Sequence, residues 1–367
     1  MLKPVNTFQK SIAAVLLATC ALQAGAAVKK PHHRAKAVAQ KAGSLYATRA
    51  EVMLQADELA ARSALDRTWV RHAIGQAHYV AAIAKAILPP PVGVAKNWAA
   101  YRSRFVEPMR IQAGKRFWLA NRDSLLRAEN ETGVPASVIV GIVGVESMYG
   151  QNTGNFRVID ALATLAFDFP AEHPRAAARA AFFKAELEQY LALTARTHTD
   201  PLALRGSYAG AMGWPQFMPS SWSKYAVDFD GDGRIDLFNS QADVIGSVAN
   251  YFKAFHWQRG MATHYPVRFD PATLDKAALL ESDIVPRYSV AELAAKGVLL
   301  DELDPAHSGP LALIELQNGE AEPSYVAGTE NFYAITRYNW SSYYAMAVIE
   351  LGQAVADAVQ DTVTLEK

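Results

Sequence analysis

One carboxylate stands out in the sequence. Val138-Ile139-Val140-Gly141-Ile142-Val143-Gly144-Val145-Glu146-Ser147 is apolar almost throughout and ends on an acid. At helical spacing Val138, Ile142, Val145 and Tyr149 share one stripe, and Ile139, Val143 and Glu146 form the neighbouring one. Burial at such a helix end would raise the pKa of Glu146, as a general acid working near neutral pH requires. A glutamate facing water at a helix end fits the same pattern. Gly141 and Gly144 follow no strand and form no dinucleotide fingerprint, so they read as points of close backbone or ligand approach.

A second group of acids lies in Asp228-Phe229-Asp230-Gly231-Asp232-Gly233-Arg234-Ile235-Asp236. Acids at positions one, three and five, a glycine at six and an aliphatic residue at eight match the start of an EF-hand calcium loop. Asn239 replaces the usual bidentate glutamate, and the next acid is Asp243. Ser240 to Asp243 also reads as a helix-capping box, and a plain acidic turn is the alternative to calcium.

Two further segments suit a sugar ligand. Residues 206–221 form a Gly- and Pro-punctuated loop containing Ser207, Trp214, Gln216 and Phe217, and residues 336–344 include Tyr338, Asn339 and Tyr344. Aromatic faces stack on sugar rings while amides and hydroxyls fix the sugar hydroxyls. Both segments also read as packed connection or core. Ser207 has no evident His/Asp partner for nucleophilic catalysis, and Asp160 reads as the cap of a helix beginning at Ala161. There is no zinc-spaced histidine pair, H-E-x-x-H or P-loop.

The elements that must hold these groups are mainly helical. An alanine-rich stretch runs from Glu51 to Leu88 and stops at Pro89-Pro90-Pro91; a second spans 97–131 with a break near Pro108. Gly133 and Pro135 close one helix and open the next, and helical patterning continues to Phe255 with loops near 150–158, 168–176 and 198–222. Residues 267–330 switch to short β-branched or aliphatic runs between turn residues, which predicts a small sheet. A strand is expected over 331–338 and a last helix over 342–359. The expected divisions are a signal at 1–26, a basic tether at 27–50, an N-terminal helical domain at 51–132, a core at 133–266 with the acidic loop at 228–243, a β domain at 267–330, and a return to the core at 331–367.

The chain has 367 residues, with 51% hydrophobic and 20% charged. That composition excludes a mainly disordered chain, a collagen and a small disulfide scaffold. Its 36 basic and 36 acidic residues cancel, which gives no argument for nucleic acid. Lys3 and Lys10, an apolar run from Ile12 to Leu22 and Ala24-Gly25-Ala26 have the order of a secretory signal, cut after Ala26. Cys20, the one cysteine, is then either discarded with the signal or, because Leu17-Ala18-Thr19-Cys20 is close to a lipobox, lipidated. A membrane contact is expected only in the second case, and no disulfide in either. The basic residues from Lys29 to Arg49 read as a solvated tether or as a loose contact with anionic lipid or wall polymer.

Taken together and in this order, Gly-Val-Glu-Ser at 144–147, Asp160 to Leu165, the 206–221 loop, the acidic loop and Arg337-Tyr338-Asn339 resemble the lytic transglycosylases of the membrane-bound B type. The resemblance extends from Tyr101 to Gly352. It implies a mainly α (α+β) fold: a lysozyme-like helical core with an added N-terminal helical domain, a small β domain and an EF-hand-like calcium loop. It implies cleavage of the β-1,4 bond between N-acetylmuramic acid and N-acetylglucosamine in peptidoglycan, closing a 1,6-anhydro ring during cell-wall turnover. Glu146 then matches the single catalytic acid/base. Tyr101, Ser207, Gln216, Tyr251, Tyr338, Asn339 and Tyr344 match glycan contacts, and Arg179 matches one member of an arginine pair whose other position is Ala178. Asp228, Asp230, Asp232, the Arg234 carbonyl and Asp243 match ligands of a structural Ca2+, with no organic cofactor. Expected partners are glycan strands and proteins of wall synthesis or turnover, with a monomeric enzyme in the periplasm. A water-using muramidase and a non-catalytic murein-binding scaffold are the alternatives.

Overall fold

The computed structural model of the chain describes residues 44–89, 95–304 and 307–365. The expected signal, Cys20 and the tether up to residue 43 lie outside the described residues. The end of that tether is docked rather than loose. Tyr46, in a 3₁₀ turn at Tyr46–Thr48, is 1% exposed and donates its hydroxyl to Asp168 at 2.5 Å. Arg49 donates to both oxygens of the same carboxylate at 2.7 and 2.8 Å. An aromatic ring and an ion pair therefore fix the chain before the first helix.

The alanine-rich stretch divides into three helices, α1 (Ala50–Arg62), α2 (Arg67–Gly75) and α3 (Ala81–Ala86). Ala64 takes a left-handed turn with φ 52°, and Asp66 caps α2 by accepting from the Trp69 amide at 2.7 Å. Next come α4 (Trp98–Arg102), α5 (Pro108–Ala120) and α6 (Arg122–Thr132). Pro108 opens α5, where its missing N–H costs nothing, and Glu107 accepts from Met109 and Arg110. Gly133 at φ 78° ends α6 before α7 (Ala136–Ser147).

The helical series continues with α8 (Val158–Phe167), α9 (Ala176–Arg196), α10 (Pro219–Tyr225) and α11 (Gln241–Ala254). Short strands β1 (Phe156–Arg157) and β2 (Arg205–Gly206) pair antiparallel before α8, so that helix starts at Val158. Asp160 is therefore inside the first turn and is not its cap. Its carboxylate pairs with Arg157 at 2.6 Å and accepts the His78 amide at 2.9 Å, joining α8 to the N-terminal helices.

The small β region contains β3 (His264–Pro266), β4 (Arg268–Phe269), α12 (Lys276–Leu280), α13 (Val290–Ala295), β5 (Val298–Leu299), β6 (Ala312–Asn318) and β7 (Ala321–Gly328). The strands form an antiparallel sheet in the order β3-β7-β6 and a separate β4-β5 pair. Residues 331–338 are not a strand: they belong to α14 (Glu330–Tyr338). Thr329 caps that helix, accepting from Asn331 and Phe332, and Phe332, Ile335 and Thr336 face the core at helical spacing. The last helix, α15 (Ser342–Leu365), outruns its expected end.

One continuous apolar cluster extends from Tyr46 through Leu59, Ile74, Phe117 and Ile142 to Val355. The segment expected as a separate N-terminal domain therefore shares the core of α7 and α15. A second, smaller cluster around Tyr265, Leu279, Leu293 and Leu313 belongs to the β region. At the centre α7 and α15 touch almost backbone to backbone. A Cβ on Gly141 would stand 2.2 Å from the Val348 carbonyl oxygen, and one on Gly352 would stand 2.1 Å from that of Ser137. Glycine is the residue that permits this approach, and the approach sets how α15 faces the end of α7.

Candidate active site

Every residue of α7 is buried except Ser137 and Glu146. The helix ends abruptly, with Met148, Tyr149 and Gly150 at φ 51°, 57° and 82°. Ser147 donates to the Val143 carbonyl and accepts from the Gly150 amide, while Arg110 on α5 donates to the Gly144 carbonyl at 2.5 Å. These bonds hold the last turn from which the Glu146 side chain leaves. Burial raises the Glu146 pKa from 4.5 to about 7. The Tyr344 hydroxyl donates to Oε1 at 2.5 Å and opposes that rise, because it stabilises the charged form. Among the described residues, no second carboxylate and no cation contributes to the shift.

Around this acid the fold gathers tyrosines from three helices. Tyr344 begins α15, Tyr338 ends α14 and Tyr251 lies on α11; all are buried. Tyr338 stacks on Tyr344 with ring centres 6.4 Å apart and donates to the Pro215 carbonyl at 2.6 Å. Tyr251 packs 4.7 Å from Tyr338 and donates to the Arg337 carbonyl at 2.6 Å. Burial pushes all three hydroxyls well above their ordinary pKa; the nearby Glu146 charge is the next cause for Tyr338 and Tyr344, while at Tyr251 the Arg337 charge opposes the rise. Tyr101 packs at the edge of this group against Trp98, Phe105 and Tyr343, near enough to Tyr344 to affect its hydroxyl.

The 206–218 loop closes one side. Gln216 takes φ 50°, and its Nε2 donates to the Gly213 and Thr153 carbonyls, tying the loop to the chain leaving α7. Ser207 builds the loop instead of acting as a nucleophile: its Oγ accepts from the Ala209 and Ala211 amides at 3.3 and 3.1 Å. Asn339 is different. It is 1% exposed, and neither its amide oxygen nor its nitrogen has a hydrogen-bond partner. Leaving such a group unpaired costs about 1–3 kcal/mol, which points to a ligand that completes it.

In the acidic loop the carboxylate oxygens of Asp228, Asp230 and Asp232 lie within 4.8 Å of one another. Gly231 and Gly233 at φ 78° and 89° turn the backbone, and Asp228 accepts from both of their amides. Arg234 donates its amide to Asp232 at 2.8 Å. Asp243 stands outside the three-acid group. From α11, 1% exposed, it accepts from the Phe229 and Asp236 amides at 2.7 and 2.8 Å and so clamps both ends of the loop. Half of the expected capping box is present: Ser240 accepts from the Asp243 amide.

The transglycosylase SLT domain matches residues 48–353. Membrane-bound lytic murein transglycosylase B of Escherichia coli is 39% identical over 316 residues, covering 82% of this chain and 81% of the relative. The chain belongs to the SLT transglycosylase family. Its fold matches the E. coli lytic transglycosylase SLT35 solved in complex with calcium, at 38% identity and TM-score 0.75 over 87% of this chain and 97% of that one. Pseudomonas aeruginosa SltB3, solved with NAG-NAM-pentapeptide, matches at 29% identity and TM-score 0.72 over 83% and 79%.

In this arrangement the Glu146 carboxylate lies inside an aromatic shell. Arg179 is not part of that shell. It is 3% exposed, stacked over Phe182 and Phe183 at 5.5 and 5.2 Å, and burial pushes its pKa down to about 10. Both phenylalanines line a cavity of about 130 Å³ that also touches Gln216, Tyr251 and Tyr338, whereas Arg179 does not line it. Sequence reasoning missed Arg110, Glu186 and Lys224, which carry no motif; only the fold brings them to α7 or to the cavity.

Replacing Tyr344 with Phe removes the donor to Glu146 and keeps the ring. The carboxylate then loses the bond that holds its pKa down, so the alkaline limb of the kcat profile should move to higher pH. The pH dependence of muropeptide release measures this; a limb that stays or moves to lower pH would contradict the assignment.

Proposed function

We propose that Glu146 is the single acid and base of this lytic transglycosylase, whose substrate is peptidoglycan. A hydrolytic glycosidase uses a second carboxylate to activate water or attack the sugar. The observation that carries the proposal is the lone, desolvated carboxyl of Glu146, with a pKa of about 7 that suits it to give and to recover a proton. Its proton goes to the oxygen of the β-1,4 bond as N-acetylglucosamine leaves C1 of the muramoyl residue. The substrate's own N-acetyl group stabilises C1. Its 6-hydroxyl then attacks C1, and the Glu146 carboxylate takes the hydroxyl proton, so a 1,6-anhydro ring closes and no water is consumed. Asn339, with its unpartnered amide, and Ser207 orient the acetamido group, Gln216 holds the sugar, and the tyrosines fix the glycan and reduce the entropy of reaction. Arg179 acts through Phe182 and Phe183.

The relative is named as membrane-bound and murein-cleaving. We place this chain likewise outside the cytoplasm, on the wall polymer in the periplasm and as a monomer. Among the described residues no helix is long and apolar enough to cross a membrane.

The three-acid loop fits a hard divalent cation. Its donors are all oxygens, three carboxylates converge, and glycine turns let the backbone follow. Asp228, Asp230 and Asp232 would hold calcium, with the Arg234 carbonyl, and Asp243 would brace the loop. Bound there, calcium would neutralise the carboxylates and stiffen the segment leading into α11, apart from the chemistry.

Wild-type enzyme should release muropeptides ending in 1,6-anhydro-N-acetylmuramic acid, about 18 Da lighter than hydrolytic products. Glu146→Gln should fold and lose at least about 10²–10⁴-fold in rate. Reducing ends by mass spectrometry would make the enzyme a muramidase, and full activity of the variant would remove Glu146 from the mechanism. Calcium binding to the folded state should raise the Tm relative to chelator, and Asp228→Ala should abolish the difference. Identical melting curves in both conditions would rule out the metal.

A further inference from the structure

A separate cleft of about 640 Å³ opens between the start of α2 and the end of α9, and it shares no lining residue with the cavity beside Tyr251. That volume is within the usual range of a ligand site, about 300–1,000 Å³. Its walls include Leu65, Asp66 and Trp69 from the N-terminal helices and the turn His198-Thr199-Asp200 that follows α9. His198 takes φ 52°, and the Thr199 amide closes the helix end by donating to the Thr194 carbonyl at 2.9 Å. The same segment runs on into β2.

The polar groups of this cleft are only half used. Oδ1 of Asp66 accepts from the Trp69 amide at 2.7 Å and Oδ1 of Asp200 from the Leu202 amide at 2.9 Å. The second oxygen of each carboxylate bonds no other described residue. The Trp69 ring packs against the main core and lines the cleft, and its N–H has no partner among the described residues. Two carboxylates with no Lys or Arg among the lining residues disfavour an anion. A bare cation would be served by acceptors alone, whereas these walls also carry donors in the Trp69 indole, the Thr199 hydroxyl and the His198 ring. Donors and acceptors beside an aromatic surface match a neutral sugar, whose apolar face stacks while its hydroxyls both give and accept. We propose that this cleft is a second saccharide site, taking uncharged N-acetylated sugars of the glycan strand outside the Glu146 site. Holding the strand at two places makes each return to the active site intramolecular, so the enzyme stays on the polymer. This role rests on the peptidoglycan reading above.

The probe is the tetramer of N-acetylglucosamine, titrated into Glu146→Gln protein and followed by nitrogen-15 NMR of the indole N–H signals. The Trp69 signal is assigned by its loss in Trp69→Phe. It should shift saturably, and Asp200→Asn, which keeps Oδ1 for the Leu202 amide, should raise the Kd read from it about tenfold, the loss of one hydrogen bond to a charged group. With Glu146 intact, Asp200→Asn should cleave short soluble glycan fragments at the wild-type rate and release muropeptides from intact sacculi more slowly. A Trp69 signal that millimolar tetramer does not move, or a Kd unchanged in folded Asp200→Asn, overturns the saccharide site. A shift produced by butylamine and not by the tetramer would make it a cation site and overturn it equally. The same rate ratio on both substrates would overturn the retention role. Absence of anhydro products from wild type would instead overturn the transglycosylase reading, and leaves the Trp69 titration readable.

Discussion

Taking water away from one carboxyl group is the constraint on which this structure turns. The Glu146 carboxyl holds a proton up to near neutral pH because the packed end of α7 desolvates it. That burial is supported by a close helix contact, where Gly141 and Gly352 let α7 and α15 meet along their backbones. The same α15 carries Tyr344, so one contact both desolvates the acid and supplies its hydrogen-bond donor. Widening the contact would rehydrate the carboxyl and withdraw the hydroxyl together.

Around that point the fold spends stability on polar groups that the protein leaves incomplete. The Asn339 amide is buried without partners, and Gln216 occupies a left-handed conformation unusual for its type. Compensating anchors surround them: Tyr338 and Tyr251 bond backbone carbonyls, Glu186 fixes the start of α10, and Asp243 clamps the acidic loop against α11. The β region has its own small core, while Ala312, Ile314 and Leu316 of β6 join the main one, and the N-terminal helices share that main core and brace α7 through Arg110.

Local patterns were legible where one residue type decides the outcome. The apolar run before Glu146, Gly133 with Pro135, and the alternating acids at 228–232 all rely on spacing within a few residues. Residues 331–338 misled because Phe332, Tyr333, Ile335, Thr336 and Tyr338 favour a strand locally, whereas the Thr329 cap and the burial of Phe332, Ile335 and Thr336 at helical spacing make the segment a helix. Asp160 misled for another reason: its partner, the His78 amide, is chosen by tertiary packing, and a carboxylate near a helix start reads as a cap until that partner is known. Arg179, Glu186 and Lys224 have no local signal at all, since the fold alone decides whether each meets the core or the cavity.

The most direct measurement is the titration of Glu146 itself. Carbon-13 NMR of enzyme labelled at glutamate side-chain carboxyls, with the Glu146 resonance assigned by its loss in Glu146→Gln, follows one group across pH. Desolvation at the end of α7 predicts a midpoint near 7. A midpoint at the ordinary value of 4.5 would mean that the carboxyl is hydrated and ionised at working pH, and it could not then serve as the acid.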